Sequence, residues 1–376
     1  MSDFPRVEWT EANAAQSARW RSEAGVAPPK RVVIIDDTTN ADAAFKLACE
    51  GTAMLYRGDF QNARLLLQAM ARRADRSKKA KPAKSSTEAF HLHRMAQAQR
   101  ARTLGMLLIP FEAGHLIPLR RAPDVAEACG EAYGPANEAY LASLRELQGL
   151  IGAHEWRKKG VEIPALGTRV YPHYGVFSPV RGEYVDLVAR VPLPVSNKSL
   201  AFDIGTGTGV LAAMLAKRGV DRIVATEQDP RAIDCANENM QRMGFAGRVE
   251  VIKADMFPPG KAPLVVCNPP WVPAKPSSPI EHAVYDQDSR MLRSFLTGLA
   301  EHLEPKGEGW LILSDLAEHL GLRTREQLTE WIESAGLKVA GRETIRPRHG
   351  KASDPDDPLH QARSAEVTTL WRLTHA

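Results

Sequence analysis

Beyond about residue 199, short apolar runs alternate with amphipathic stretches. Ser199–Ile204, Arg222–Thr226, Val249–Lys253, Ala262–Cys267 and Trp310–Ser314 predict strands. Gly209–Arg218, Pro230–Met243, Arg290–Leu303 and Arg325–Ala335 carry helical spacing between them. Gly219, Gly244 and Gly336 sit where helices should stop, and Pro230 where one should start. Ala262–Cys267 is nearly continuous in apolar residues, as expected of a central parallel strand. Two last strands, Leu337–Arg342 and Glu366–Leu373, would pair as an antiparallel edge. The alternation predicts an α/β fold with a Rossmann-like, mostly parallel sheet.

The first half reads differently. Ala41–Met70 is rich in Ala, Leu, Phe and Met and carries helical patterning interrupted at Gly51 and Gly58. Ala136–Leu150 has helical spacing, with Tyr140, Leu144 and Leu147 on one face. Arg31–Ile35 predicts a short strand ending at Asp36-Asp37. Leu104–Leu119, broken by Pro110 and Gly114, suits a hairpin. The composition shifts near Lys158-Lys159-Gly160. Residues 1–155 are therefore expected to form a mainly helical domain that recognises or caps the substrate, ahead of a catalytic domain over 165–376.

The chemistry concentrates at the ends of the predicted strands. Asp203-Ile204-Gly205-Thr206-Gly207-Thr208-Gly209 joins the first strand to its helix. Glycine there lets backbone approach a ligand, and the helix start offers its amides. Gly205, Gly207 and Gly209 are spaced more tightly than a dinucleotide fingerprint, which lowers the dehydrogenase reading. Asp203 could orient this loop or reach a ligand ammonium, and Thr206 lies within the loop. Glu227, ending the second strand, can accept from ribose hydroxyls. Asp229 reads as the cap of the helix from Pro230. Asp255 can accept from an adenine amino group, and Met256 or Phe257 can pack on its ring. Alternatively, this stretch is a plain polar turn.

Asn268-Pro269-Pro270-Trp271 follows the fourth strand at its carboxyl end, where open sheets place their sites. The Asn268 side-chain oxygen and the Pro269 carbonyl can both accept from one NH2 group. They favour a more pyramidal nitrogen with its lone pair aimed outward, and Trp271 offers a face for stacking a planar group. Together with the glycine loop this points to methyl transfer from S-adenosylmethionine onto nitrogen. On this reading Asn268 touches both cofactor and acceptor, Asn268, Pro269 and Trp271 are the catalytic residues, and Pro270 and Trp271 meet substrate.

These stretches resemble the class I methyltransferases that modify planar nitrogen. The release-factor glutamine N5-methyltransferases and the ribosomal RNA guanine-N2 and adenine-N6 methyltransferases are the most similar branches. Tyr174-Gly175-Val176-Phe177-Ser178 resembles an element of the guanine-N2 branch that closes over cofactor and substrate. By that resemblance Phe177 and Ser178 line the site, with Arg181 a further candidate. The resemblance spans residues 165–376 and departs from the family in having Glu at 227 and Trp at 271. It implies an RNA or ribonucleoprotein substrate, with a protein glutamine or an enclosed small molecule as alternatives.

Composition and charge add further points. A net charge of +4 is compatible with an anionic partner. Arg72, Arg73, Arg76, Lys78, Lys79, Lys81 and Lys84 cluster against Asp75 alone, as either a solvated loop or a phosphate-contacting arm. Thr344–Ala365, with Arg346, Arg348, His349, Lys351 and His360, is a long polar insert that reads as a substrate lid or a solvated hairpin. No run long enough for a membrane span is seen, and the start lacks the order of a secretory signal. The four cysteines have no metal-ligand spacing, so no metal is expected and a cytoplasmic setting is the natural reading.

Overall fold

The computed structural model describes residues 4–76, 83–180, 182–194, 198–276, 279–347 and 354–376. The chain divides into two units. Residues 1–82 and 91–155 form the first, and residues 83–90 and 156–376 the second.

In the first unit the strands are β1 (Arg6–Glu11), β2 (Ala14–Trp20) and β3 (Val32–Ile35), then α1 (Ala41–Cys49) and β4 (Ala53–Tyr56). There follow α2 (Phe60–Arg76), α3 (Ser86–Leu104, whose residues up to Phe90 belong to the second unit), β5 (Leu107–Phe111), α4 (Ala126–Tyr133), β6 (Tyr140–Ser143) and α5 (Leu144–Lys159, whose residues from Trp156 belong to the second unit). The six strands form one sheet in the order β1-β2-β6-β5-β4-β3. The helices are present, but a mixed sheet organises the unit, which corrects the expectation of a mainly helical domain. Ala53–Tyr56 lies inside the stretch read as helical; all four residues are buried. A short apolar run buried on both faces has no period by which strand can be told from helix. Tyr140–Ser143 is likewise a strand, and the helix starts only at Leu144.

The expected hairpin at 104–119 does not form. β5 lies between β4 and β6, and no strand follows it before α4. Its Pro110 is tolerated because pairing with β4 involves Leu107 and Leu108, leaving Pro110 opposite Leu141 of β6. In the basic stretch, Arg73 pairs with Asp42 at 2.6 Å and Asp75 with Arg100 at 2.7 Å. Lys78, Lys79 and Lys81 lie outside the described residues, as do Arg181, Arg348, His349 and Lys351.

The second unit opens with the two-stranded β7 (Val161–Ile163) and β8 (Thr168–Val170), then α6 (Glu183–Arg190). Its main sheet follows with β9 (Leu200–Ile204), α7 (Val210–Lys217), β10 (Arg222–Glu227), α8 (Pro230–Arg242), β11 (Val249–Lys253) and β12 (Ala262–Cys267). It is completed by α9 (Arg290–His302), β13 (Leu303–Ser314), α10 (Leu316–His319), α11 (Arg325–Ser334), β14 (Leu337–Ile345), α12 (His360–Ala365) and β15 (Thr368–His375). The order is β11-β10-β9-β12-β13-β15-β14, with β15 antiparallel to both neighbours. Side chains alternate between two cores. Trp310 and Ile312 of β13 pack with α6 and α7, whereas Leu311 and Leu313 pack with α9 and α11. From β9 the chain winds outward to β11, then returns to β12 on the other side. That reversal opens a crevice at the strands' carboxyl ends. Among the described residues, no helix is long and apolar enough to cross a membrane.

Candidate active site

A cavity of about 430 Å³ occupies this crevice. Gly205, Thr206 and Gly207 line it. The Gly205 and Thr206 amides both donate to Thr226 O at 3.0 Å, tying the loop to the end of β10. Gly207 has φ of 56°, and a Cβ added there would meet nothing within 4 Å, so bare backbone faces open space. Gly209 has a different job. It does not line the cavity, and a Cβ on it would lie 2.7 Å from Met240 Cε, so it lets α7 start close against α8.

Asp203 is buried beneath the loop. Its Oδ2 accepts from the Thr206 hydroxyl at 2.6 Å and from the Ala212 amide at 3.0 Å. These contacts tie the loop to Asp203, which itself lines the cavity. Its carboxyl is raised to about 6, chiefly by burial; the two hydrogen bonds act against the rise and the nearby Glu227 adds to it.

Glu227 also lines the cavity. Its Oε2 accepts from the Gly207 amide at 3.1 Å and its Oε1 from the Gln228 amide at 2.7 Å. Asp229 caps α8 by accepting from Arg231 N at 2.9 Å. Asp255 is not among the lining residues. Its carboxylate is held at 2.6 Å by the side chain of Gln228, which does line the cavity. Met256 lines the cavity with φ of 71°, and its carbonyl accepts from the Thr226 hydroxyl at 2.6 Å. Phe257 is turned away, stacked on His302 with ring centroids 4.3 Å apart.

Asn268 to Trp271 line the same cavity. Asn268 Oδ1 accepts from the Trp271 indole N–H at 2.9 Å. The indole therefore fixes which end of the amide is the acceptor, a function the stacking reading of Trp271 did not include. A carbonyl oxygen has a second lone pair for another donor. After Trp271 the chain folds back, with Asp286 N donating to Val272 O at 2.9 Å. Asp286 in turn caps α9 through Met291 N and Leu292 N at 3.0 and 3.1 Å. Gly175, Val176 and Phe177 line the cavity as well. Ser178 does not, and its buried hydroxyl has no hydrogen-bond partner.

Several participants left no trace in sequence. Buried Asn239 of α8 donates to Thr208 O at 3.0 Å and accepts from Tyr171 N at 2.8 Å. It joins the glycine loop to the segment leading into Gly175. Phe90, Tyr285, Leu320, Leu359 and Arg363 complete the cavity wall. Leu359 and Arg363 are four residues apart at the start and within α12 of the polar insert, a spacing visible only once that helix is known.

The residues fit a nucleoside-bearing cofactor: bare backbone at Gly207, a carboxylate at the tip of β10, and an apolar side chain at Met256. This strand order, with a glycine loop after β9 and an acidic residue ending β10, defines the class I methyltransferase fold. Residues 167–333 match the model of the methyltransferase small domain family. A tRNA1(Val) (adenine(37)-N6)-methyltransferase of Bacteroides thetaiotaomicron is 35% identical over 126 residues, covering 31% of this chain and 53% of that protein. A ribosomal protein L11 methyltransferase of Sorangium cellulosum is 35% identical over 116 residues, 31% of each chain. The chain thus spans about half of the first relative's length and less of the second's. A solved methyltransferase from Pyrococcus furiosus aligns over 60% of this chain and 98% of its own, with a TM-score of 0.40 and 18% identity.

Proposed function

We propose that this protein transfers a methyl group from S-adenosylmethionine to the exocyclic amino group of a base in RNA, transfer or ribosomal. The observation that carries this reading is the Asn268–Trp271 clamp opening on the same cavity as Gly205, Gly207 and Glu227. The likeness to an adenine-N6 tRNA methyltransferase favours a base over a glutamine side chain or a metabolite. S-adenosylmethionine supplies a methyl carbon on a sulfonium whose departure needs no acid. What remains for the chain is binding and aim, and the proton that the newly methylated nitrogen sheds passes to solvent.

Gly207 lets backbone approach the donor, Glu227 accepts from its ribose, and Met256 packs on its adenine. Asp255 holds Gln228 at that end of the cavity. Asn268 Oδ1 and the Pro269 carbonyl accept from the base NH2, so its lone pair turns toward the methyl group. Phe177 and Pro270 flank the acceptor, and a base within a helix must first be unstacked.

The test is incubation with labelled donor and fractionated cell extract. Label is expected in RNA. Label confined to protein or to metabolites overturns the RNA assignment while leaving methyl transfer intact.

The raised Asp203 carboxyl makes donor binding pH-dependent. Its ionised form is the one that accepts from Thr206 and Ala212. Lowering the pH through about 6 protonates it and loosens the loop. Donor affinity, followed by calorimetry, is expected to fall by roughly tenfold between pH 7 and 5. The contribution to folding runs the other way. Because the folded carboxyl titrates above its ordinary 3.8, this group opposes folding as the pH rises from about 4 through about 6. An Asp203→Asn variant should lack this pH dependence, and an unchanged profile there would remove Asp203 from the effect.

A further inference from the structure

Three residues of the cavity wall, Phe90, Leu359 and Arg363, lie outside residues 167–333. They come from two separate segments of the second unit, and both segments are tied down. The Thr87 hydroxyl donates to Leu320 O at 2.8 Å, which anchors the start of α3, where Phe90 lies. Phe90, Leu320, Leu359 and Ala362 then pack with Val272 in one apolar cluster, with Trp271 and Tyr285 against it. This end of the cavity therefore adjoins the clamp.

Among the described residues of this wall, Arg363 is the one arginine or lysine. Leu359, the residue that precedes α12, and Arg363 within it are four residues apart and both line the cavity. The Arg363 Nη1 pairs with Asp357 Oδ2 at 3.0 Å, with side chains 15% and 8% exposed. Its buried Nε has no hydrogen-bond partner. A planar fork of donors, oriented by one carboxylate and set among apolar groups, suits an anion that takes two bonds at once.

We infer that Arg363, framed by Phe90 and Leu359, reads a phosphate attached to the nucleoside whose base is methylated. The inference rests on the base-methylation reading of the same site. It assigns acceptor specificity to segments that the family-matched region does not contain. The base would stack near Trp271, with its phosphate on Arg363. Two sources share this chemistry: a phosphate within an RNA strand, and a free mononucleotide.

The test uses the full chain with S-adenosylhomocysteine bound, and compares adenosine and guanosine with their 5′-monophosphates by calorimetry. The wild-type protein is expected to prefer the monophosphates by about tenfold or more. An Arg363→Gln variant should lose that preference and keep its donor affinity. An Arg363→Lys variant, which keeps the charge without the fork, should retain part of it. In methyl-transfer assays with RNA, Arg363→Gln should raise KM by about tenfold with little change in kcat. Methylation of RNA but not of mononucleotides identifies the strand as the source; the reverse identifies the free nucleotide.

No phosphate preference in the wild type, or a preference that survives Arg363→Gln, overturns the inference. A lowered melting temperature in Arg363→Gln with KM unchanged would do the same, by showing a purely structural link to Asp357. If Arg363→Gln does not fold, the Arg363→Lys comparison decides. The two readings fail separately. A wild type that leaves RNA unlabelled yet shows an Arg363-dependent phosphate preference refutes only the RNA substrate. A wild type that labels RNA with Arg363 silent refutes only this inference.

Discussion

Replacing Asn268 by alanine is expected to lower methyl transfer by about 100- to 1000-fold while donor affinity stays within about twofold. The nitrogen of a base amino group is a poor nucleophile because its lone pair is spread into the ring. Two acceptors held in place draw its hydrogens out of plane, and that assistance is greatest as the lone pair localises. Interactions made mainly in the transition state act on kcat rather than on binding. The Pro269 carbonyl survives the substitution but cannot set the geometry alone. Truncation also strips the Trp271 indole of its acceptor. A Trp271→Phe variant, which keeps a flat face without the N–H, separates that loss and is expected to fall less far. Single-turnover kinetics with labelled donor, together with calorimetry, checks both. Full activity in Asn268→Ala would take the clamp out of the mechanism.

Glu227→Ala is expected to weaken donor binding by about 10- to 100-fold, with kcat at saturating donor nearly preserved. A carboxylate accepting from ribose hydroxyls makes charge-assisted bonds that are similar in ground and transition states, so their loss appears in Kd. Glu227 does a second service that enlarges the effect. It holds the amides of Gly207 and Gln228, and removing it frees the glycine loop from the tip of β10. A Glu227→Gln variant keeps an acceptor oxygen and should lie between. Calorimetric titration with S-adenosylhomocysteine reads all three proteins. An unchanged Kd in Glu227→Ala would mean that the ribose is held elsewhere.

Much of the second unit was legible because each element carries its own local signal. Ala262–Cys267 is apolar throughout since it is covered on both faces, and the structure places it between β9 and β13. Asp229 before Pro230 announces a helix start through chemistry confined to that turn. Asp203, Gly205, Gly207, Glu227 and Asn268 all lie at or just after the carboxyl ends of strands, so a correct strand assignment nearly locates them. The first unit was less legible for the same physical reason. Ala53–Tyr56 and Tyr140–Ser143 are too short to show a period, and their strand state comes from neighbours far along the chain. Gly209 and Phe257 show that sequence proximity to a site does not say which way a group faces. One is spent on helix packing and the other on His302.

What the sequence determined by itself is the order of the main-sheet strands after residue 199, most of the helices between them, and the loops at the strand ends that line the cavity. Turn geometry, capping and side-chain alternation are encoded within a few residues of where they act. Only the tertiary structure decided the rest of the cavity wall. Asn239 reaches two loops from a neighbouring helix, Trp271 turns its indole N–H onto Asn268, and Phe90 and Arg363 arrive from positions 273 residues apart in the chain. Contacts between distant segments depend on how whole elements pack, and no short stretch of sequence carries that information.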